Sequence, residues 1–402
     1  MAKSTDYLNT TILLNNKFMN IISYGKHDIL QEDIDAVVEV LKSNNLTQGP
    51  KILEFEVAFS NYVGSKYAVA VSNGTAALHL CALSLGIKSG DRVLTTPITF
   101  SASANCVRYC DGTVEFVDID PETYLIDLEK LNEKINSKPA GYYKAIIPVD
   151  FAGRPNDLEK IKSLADKFDI KIIADCCHSP GGHFTDSKAE INRCGNGAYA
   201  DLSIFSFHPV KHIATGEGGM ITTNNKILYD KLRNLRTHGI QQDPEKKIYN
   251  HGVWYYEMQE LGYNYRLTDI QSALGLSQLK RLDNSISSRK KIAKKYFEAF
   301  IGKPFIISQS GYIEGHAYHL YVFEVLRRNE LITYLHSNNI LAQVHYIPVH
   351  LMPYYRELGW KHGDMPFSEG YYENCLSLPM YPTLKEEEQD FVIEQILKFY
   401  SN

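Results

Sequence analysis

The chain predicts an α/β fold: a large domain built on a mostly parallel seven-stranded sheet covered on both faces, followed by a smaller C-terminal α/β domain. Three observations lead there. Seven short apolar runs alternate with helical patterns between residues 67 and 223, the signature of strand–helix–strand units. At 402 residues the chain exceeds what one core usually serves. A long helical stripe then leaves the alternating region and leads into a stretch with its own strand and helix patterns.

Taken in order, Ile34, Val37, Val38 and Leu41 recur at helical spacing and predict an amphipathic helix over 33–42. The apolar runs predict strands over 67–71, 92–96, 114–119, 144–149, 171–175, 202–206 and 219–223. Helical periodicity falls between them over 75–85, 101–109, 128–135 and 158–168. Leu267, Ile270, Leu274 and Leu279 lie along one stripe that runs past Leu282, so the domain boundary is expected near residue 285. This gives an N-terminal arm (1–23), a large domain (24–285) and a small domain (286–402), the last with a strand over 318–325 and helices over 330–337 and 386–400. No internal repeat or low-complexity linker interrupts the series.

Composition narrows the function classes. Lysine and arginine total 42 against 47 acidic residues, a net charge of −5, and no basic run is long enough for a nucleic-acid groove. Seven cysteines in a large chain without framework spacing point to reduced thiols and a cytoplasmic setting. The apolar run Ile12, Leu13, Leu14 is too short for a signal peptide or a membrane span.

In parallel sheets ligands collect at the carboxyl ends of the strands, and four such places carry chemistry. After the first run comes Ser72-Asn73-Gly74-Thr75-Ala76, a tight turn opening a helix, whose free amides and positive dipole end suit a phosphate dianion. After the second stands Phe100, placed to lie against a flat ring. The fifth run ends in Asp175, a carboxylate that is costly to bury unless paired, and a protonated pyridine nitrogen would pair it; His178 follows within reach of a ring hydroxyl. Just past the sixth, Ser206-Phe207-His208-Pro209-Val210-Lys211 places a lysine before the glycine-rich Gly216-Glu217-Gly218-Gly219. A desolvated lysine loses its proton readily and becomes a nucleophile toward an aldehyde, as pyridoxal phosphate requires. A metal site from Cys176, Cys177, His178, His183 and Cys194 is disfavoured, because adjacent residues of an extended segment point to opposite faces and no Cys-x-x-Cys spacing occurs.

With these pieces in place the chain resembles the fold-type I pyridoxal phosphate enzymes and, among them, the DegT/DnrJ/EryC1/StrS sugar aminotransferases, from about Tyr24 to the C-terminus. The resemblance also rests on Leu235-Arg236-Thr237-His238-Gly239 and on the segment from Gly262-Tyr263-Asn264-Tyr265-Arg266 to Gly275. The wording around Lys211, with Leu46-Thr47-Gln48-Gly49 and Ala342-Gln343-Val344-His345-Tyr346, is similar to the subgroup that makes pseudaminic acid precursors. That subgroup aminates C4 of a UDP-linked 4-keto-6-deoxy-N-acetylhexosamine with L-glutamate as donor. The resemblance implies that Lys211 anchors the cofactor and serves as acid and base, Asp175 meets the pyridine nitrogen, and His178 the ring hydroxyl. It places Gly74, Thr75 and Ser206 on the phosphate side, and further implies a homodimer with shared sites in which Asn264 reaches the neighbour's cofactor. Tyr24, Asn45, Leu46, Thr47, Gln48, Gln343, Val344, His345 and Tyr346 match positions that line the sugar pocket, which Gly74, Ser206 and Asn264 also border.

Three rivals stand beside this reading. A sugar 3-dehydratase on the same scaffold resembles a variant with histidine in place of the lysine, so Lys211 counts against it. An aminotransferase for a GDP- or dTDP-linked ketosugar differs only in pocket loops. A non-catalytic sugar-sensing module would have been supported by loss of Lys211 or Asp175, and both are present.

Overall fold

A computed structural model of the chain describes residues 21–241, 243–249 and 251–401. Most of the expected N-terminal arm, residues 1–20, lies outside the described residues. All seven predicted strands form, as β1 (Tyr67–Val71), β2 (Arg92–Thr95), β3 (Thr113–Phe116), β4 (Ala145–Ile147), β5 (Lys171–Asp175), β6 (Leu202–Ser206) and β7 (Gly219–Thr223). They join one seven-stranded sheet in the order β1-β7-β6-β5-β4-β2-β3. Strand β7 pairs antiparallel with both β1 and β6, while every other pairing is parallel, so six strands point the same way.

Both faces of this sheet are covered, which explains why the strands read as continuous apolar runs rather than as alternations. Val69, Val71, Leu202, Ile204 and Ile173 face the layer of helices Gly74–Ser84, Ala102–Arg108 and Lys226–Arg236. Their neighbours Ala68, Ala70, Phe205, Ile172 and Ala174 face the layer of Pro50–Val63, Leu128–Asn136 and Leu158–Lys167. Helix Pro50–Val63 is absent from the sequence reading. Its Phe55 and Phe59 rings pack against Phe205 and Phe207, with centroids 4.8–5.7 Å apart, and so brace the segment leading to Lys211.

The long stripe after Arg266 is two helices, Asp269–Leu279 and Leu282–Phe300. The break falls at Arg281, whose guanidinium is drawn to the Asp33 carboxylate by two hydrogen bonds of 2.8 and 2.6 Å and to the Asp28 carbonyl. The second helix serves two cores. Leu282 and Ile286 pack into the large domain, whereas Ile292, Ala293, Tyr296 and Phe300 pack into the small one. The small domain carries a three-stranded antiparallel sheet of β8 (Ile306–Gln309), β9 (Tyr321–Val325) and β10 (Cys375–Leu378). Strand β9 starts three residues later than the periodicity predicts. Tyr318 adopts a φ of 48°, and the carbonyls of Tyr318 and His319 turn to the buried Arg289 guanidinium at 3.2 Å instead of to a strand partner. At the other end of the chain, Ile22–Ser23 pairs in parallel with Ile340–Leu341, tying the start of the described chain to the small domain. No helix among the described residues is long and apolar enough to cross a membrane.

Strand β1 is held by a buried ion pair. Arg236 Nη1 lies 2.6 Å from Glu56 Oε1 and 2.8 Å from the Ala70 carbonyl, while the Ala70 amide donates to the same carboxylate at 2.8 Å. Removing one partner strands the other charge in the interior. Replacing Arg236 with methionine is therefore expected to cost about 3–5 kcal/mol, read as a lowered urea midpoint; a midpoint within error of the parent would contradict the pairing.

Candidate active site

The parallel strands deliver their carboxyl ends to one cavity of about 730 Å³. Asn73, Gly74 and Thr75 enter it after β1, Thr99 and Phe100 after β2, and Val149 after β4. Asp175, Cys177 and His178 enter at the end of β5, and Ser206, His208 and Lys211 after β6. The small domain and the chain start close one side with His345, Tyr346 and Tyr24.

The turn after β1 is built for an anion. Asn73 caps helix Gly74–Ser84 by accepting from the Ala76 amide at 2.8 Å, while the amides of Gly74 and Thr75 have no acceptor among the described residues. Free amides at a helix start and the positive dipole end favour a phosphate. Glycine is needed here for approach rather than for backbone freedom: a Cβ on Gly74 would sit 3.0 Å from Ser206 Cβ, and one on Gly219 would sit 2.7 Å from the Asn73 carbonyl carbon. The two glycines thus let β6 and β7 close around the turn.

Asp175 is 5% exposed and doubly held. Its Oδ2 accepts from Ser103 Oγ at 2.7 Å and its Oδ1 from the Cys177 amide at 3.1 Å. Because Ser103 donates to the carboxylate, Thr99 Oγ1 must donate to Ser103 at 2.8 Å, so a hydroxyl chain runs from the β2 loop and fixes the carboxylate orientation. Lys211 lies in the same cavity. Burial is the main reason its amine is pushed down to about 8; the Asp175 carboxylate opposes that shift, and Arg289 adds to it.

His178 is also buried, and burial pushes its ring well below the ordinary histidine range, so it is neutral. The Ala152 amide donates to Nδ1 at 3.2 Å, which leaves the proton on Nε2, 3.3 Å from Tyr346 Oη. Burial pushes the Tyr346 phenol upward, so it too stays neutral.

Of the residues singled out in the sequence, the structure brings Gly74, Thr75, Phe100, Asp175, His178, Ser206, Lys211, Tyr24, His345 and Tyr346 into this one cavity. Phe100 is 61% exposed, so it is free of the core packing that would otherwise account for an aromatic at a strand end. Asn45, Leu46, Thr47, Gln48, Asn264, Gln343 and Val344 do not line it. Leu46 and Thr47 instead pair with Asp269 and Thr268, Asn264 pairs with Thr237, and Gln343 with Ser377, while Val344 packs between two hydrophobic clusters. Four residues that sequence reasoning missed stand at the site: Ser103 behind Asp175, His79 and Tyr265 in the cavity wall with Nδ1 and Oη 3.2 Å apart, and His319 against Lys211. Tyr265 lies within a motif already singled out and was the one within reach.

The profile of the DegT/DnrJ/EryC1/StrS aminotransferase family matches residues 27–397. The spore coat polysaccharide biosynthesis protein SpsC of Bacillus subtilis is 39% identical over 386 residues, covering 94% of this chain and 96% of that one. A UDP-4-amino-4,6-dideoxy-N-acetyl-beta-L-altrosamine transaminase of Campylobacter jejuni is 38% identical over 382 residues, covering 92% and 96%. Among solved structures, Helicobacter pylori PseC, an aminotransferase involved in the biosynthesis of pseudoaminic acid, superposes with a TM-score of 0.85 at 30% identity, covering 94% of this chain and 99% of that one.

The Lys211 amine should be distinguishable from surface lysines by titration. In protein freed of bound small molecules, acylation of the Lys211 peptide followed by mass spectrometry should rise with pH through about 8 as the amine loses its proton. A midpoint at the ordinary 10.5 would contradict the burial argument.

Proposed function

The chain belongs to the DegT/DnrJ/EryC1/StrS aminotransferase family, and from that premise we propose that it transfers an amino group from L-glutamate to C4 of a UDP-linked 4-keto-6-deoxy-N-acetylhexosamine, as in pseudaminic acid precursor synthesis. At the coarser level the chain is a pyridoxal phosphate-dependent sugar aminotransferase. The cavity fits that cofactor: it offers two unpaired amides beside a pair of close-packed glycines, a fixed carboxylate and a low-pKa amine. Gly74, Thr75 and Ser206 would hold its phosphate, Asp175 its ring nitrogen, His178 its ring hydroxyl and Phe100 its face. When bound, pyridoxal phosphate is the electron sink that carries the amino group from donor to acceptor.

The residues themselves do the rest. Asp175, kept in place by Ser103 and the Cys177 amide, supplies a negative charge at a fixed point deep in the cavity. Lys211 Nζ, neutral above a pH of about 8, takes a proton from the donor α-carbon and later delivers one to the sugar C4. Neutral His178 and Tyr346 contribute oriented polar hydrogens without adding charge. His345, whose ring burial pushes down to about 3, and Tyr24 offer neutral surfaces for the sugar.

The similarity to the Campylobacter transaminase and to PseC supports the UDP-linked substrate. SpsC, similar to a comparable degree, is named for spore coat polysaccharide biosynthesis with no nucleotide specified, so a ketosugar carrying another nucleotide stands as the second reading. Asn264 and the exposed Asn45, Leu46, Thr47 and Gln48 lie off their own chain's cavity and are assigned to a partner copy's site in a homodimer. Gln343 and Val344 stand off the cavity and hold the segment that presents His345 and Tyr346 to the sugar side.

Incubation with glutamate and a panel of UDP-, GDP- and dTDP-linked 4-ketosugars, with products weighed by mass spectrometry, is expected to give an aminosugar from the UDP-linked substrate. Exclusive turnover of a GDP- or dTDP-linked sugar would overturn the substrate choice. Lys211→Ala should lower transfer by roughly 10²–10⁴-fold and remove the cofactor's yellow absorbance. Full turnover by that variant would overturn the role of the lysine.

A further inference from the structure

Among the described residues the Lys211 amine has one hydrogen-bonding side chain within reach, and it comes from the small domain: His319 Nε2 lies 3.4 Å from Nζ. His319 is 4% exposed, and its other nitrogen, Nδ1, is buried with no partner among the described residues. An orphaned buried ring nitrogen carries an uncompensated desolvation cost, so the placement of this ring calls for a reason.

The tautomers around it supply one. His212 Nε2 donates to the Ala317 carbonyl at 2.8 Å, which leaves its Nδ1 bare. His178 is fixed the other way, with Nδ1 accepting from the Ala152 amide and Nε2 carrying the proton beside Tyr346. His178 thus has no free lone pair, and the lone pair of His212 Nδ1 makes no hydrogen bond to Lys211. A lysine ammonium has three donors and no lone pair, so whatever contacts the charged form must accept. His319 is the ring able to do so, with its proton held on the orphaned Nδ1. Its backbone is fixed as well, since the His319 carbonyl accepts from Arg289 Nη1 at 3.2 Å. The charged and titratable groups facing it are Lys211, His178, His212 and Arg289, all of which disfavour a cationic ring, as burial does.

We propose that His319 is a positioning residue that accepts a hydrogen bond from Lys211 Nζ and aims the amine into the cavity. The proposal rests on reading Lys211 as the amine of an aminotransferase, and it couples the small domain to that amine. No bond to carbon changes in this step; the proton stays on nitrogen until the amine is deprotonated.

The test compares two substitutions by reach. In H319Q the side-chain amide extends to the place of Nε2, whereas in H319N it extends only to the place of Nδ1. H319N is expected to lower kcat of the glutamate half-reaction at least tenfold with KM within twofold, and to move the Lys211 acylation midpoint below its parent value through loss of the acceptor. H319Q is expected to return both toward the parent. Unchanged values in a folded H319N, or equal damage in both variants, would overturn the proposal, because a space-filling role gives one of those results. Should neither variant fold, nitrogen-15 spectra of the histidine-labelled parent decide: a neutral His319 ring with its proton on Nδ1 supports the contact, and a proton on Nε2 overturns it. If the parent aminates no ketosugar, the functional reading fails while the acylation and tautomer measurements still report on His319.

Discussion

Desolvation of a single amine governs this molecule. Lys211 sits where six parallel strands end, and burial takes its amine from 10.5 to about 8, a penalty on the ammonium on the order of 3 kcal/mol. The folded state carries that penalty in full below a pH of about 8 and sheds it as pH climbs toward 10.5, where the unfolded chain also loses the proton. Marginally stable proteins do not retain such a load without return. The return we propose is a nucleophile and proton carrier that works near neutrality, and the surrounding histidines, tyrosine and thiol are kept neutral by the same exclusion of water.

The sheet topology makes this possible by gathering residues far apart in sequence. Strands β1, β5 and β6 release their loops at one end, and β7 enters there in the opposite sense. Gly219, the first residue of β7, lies opposite both Val71 and Ser206, so one residue without a Cβ lets the phosphate-type turn and the lysine loop approach. On the far face, Phe55 and Phe59 pack against Phe205 and Phe207 and stiffen the strand that aims Lys211.

Much of this was legible in the sequence. Apolar runs bounded by polar turns located all seven strands of the main sheet, because a sheet buried on both faces leaves little ambiguity of period. Residues next to strand ends, Gly74, Asp175, His178 and Lys211, were found for the same reason. Contacts made across long sequence separations left no local signal. His319 comes from the segment just before a strand of another domain, Ser103 reads as an ordinary helix residue, and the Arg281 break depends on Asp33, far upstream. Nor does periodicity reveal that helix Leu282–Phe300 belongs to two cores at once.

We propose that Lys211, among all the lysines of the chain, is the one that bonds the cofactor. Borohydride reduction of the yellow holoprotein, followed by digestion and peptide mass spectrometry, tests it most directly. The pyridoxyl mass is expected on the peptide bearing Lys211 and nowhere else. A label on a different lysine, or a reduced protein carrying none, would contradict it.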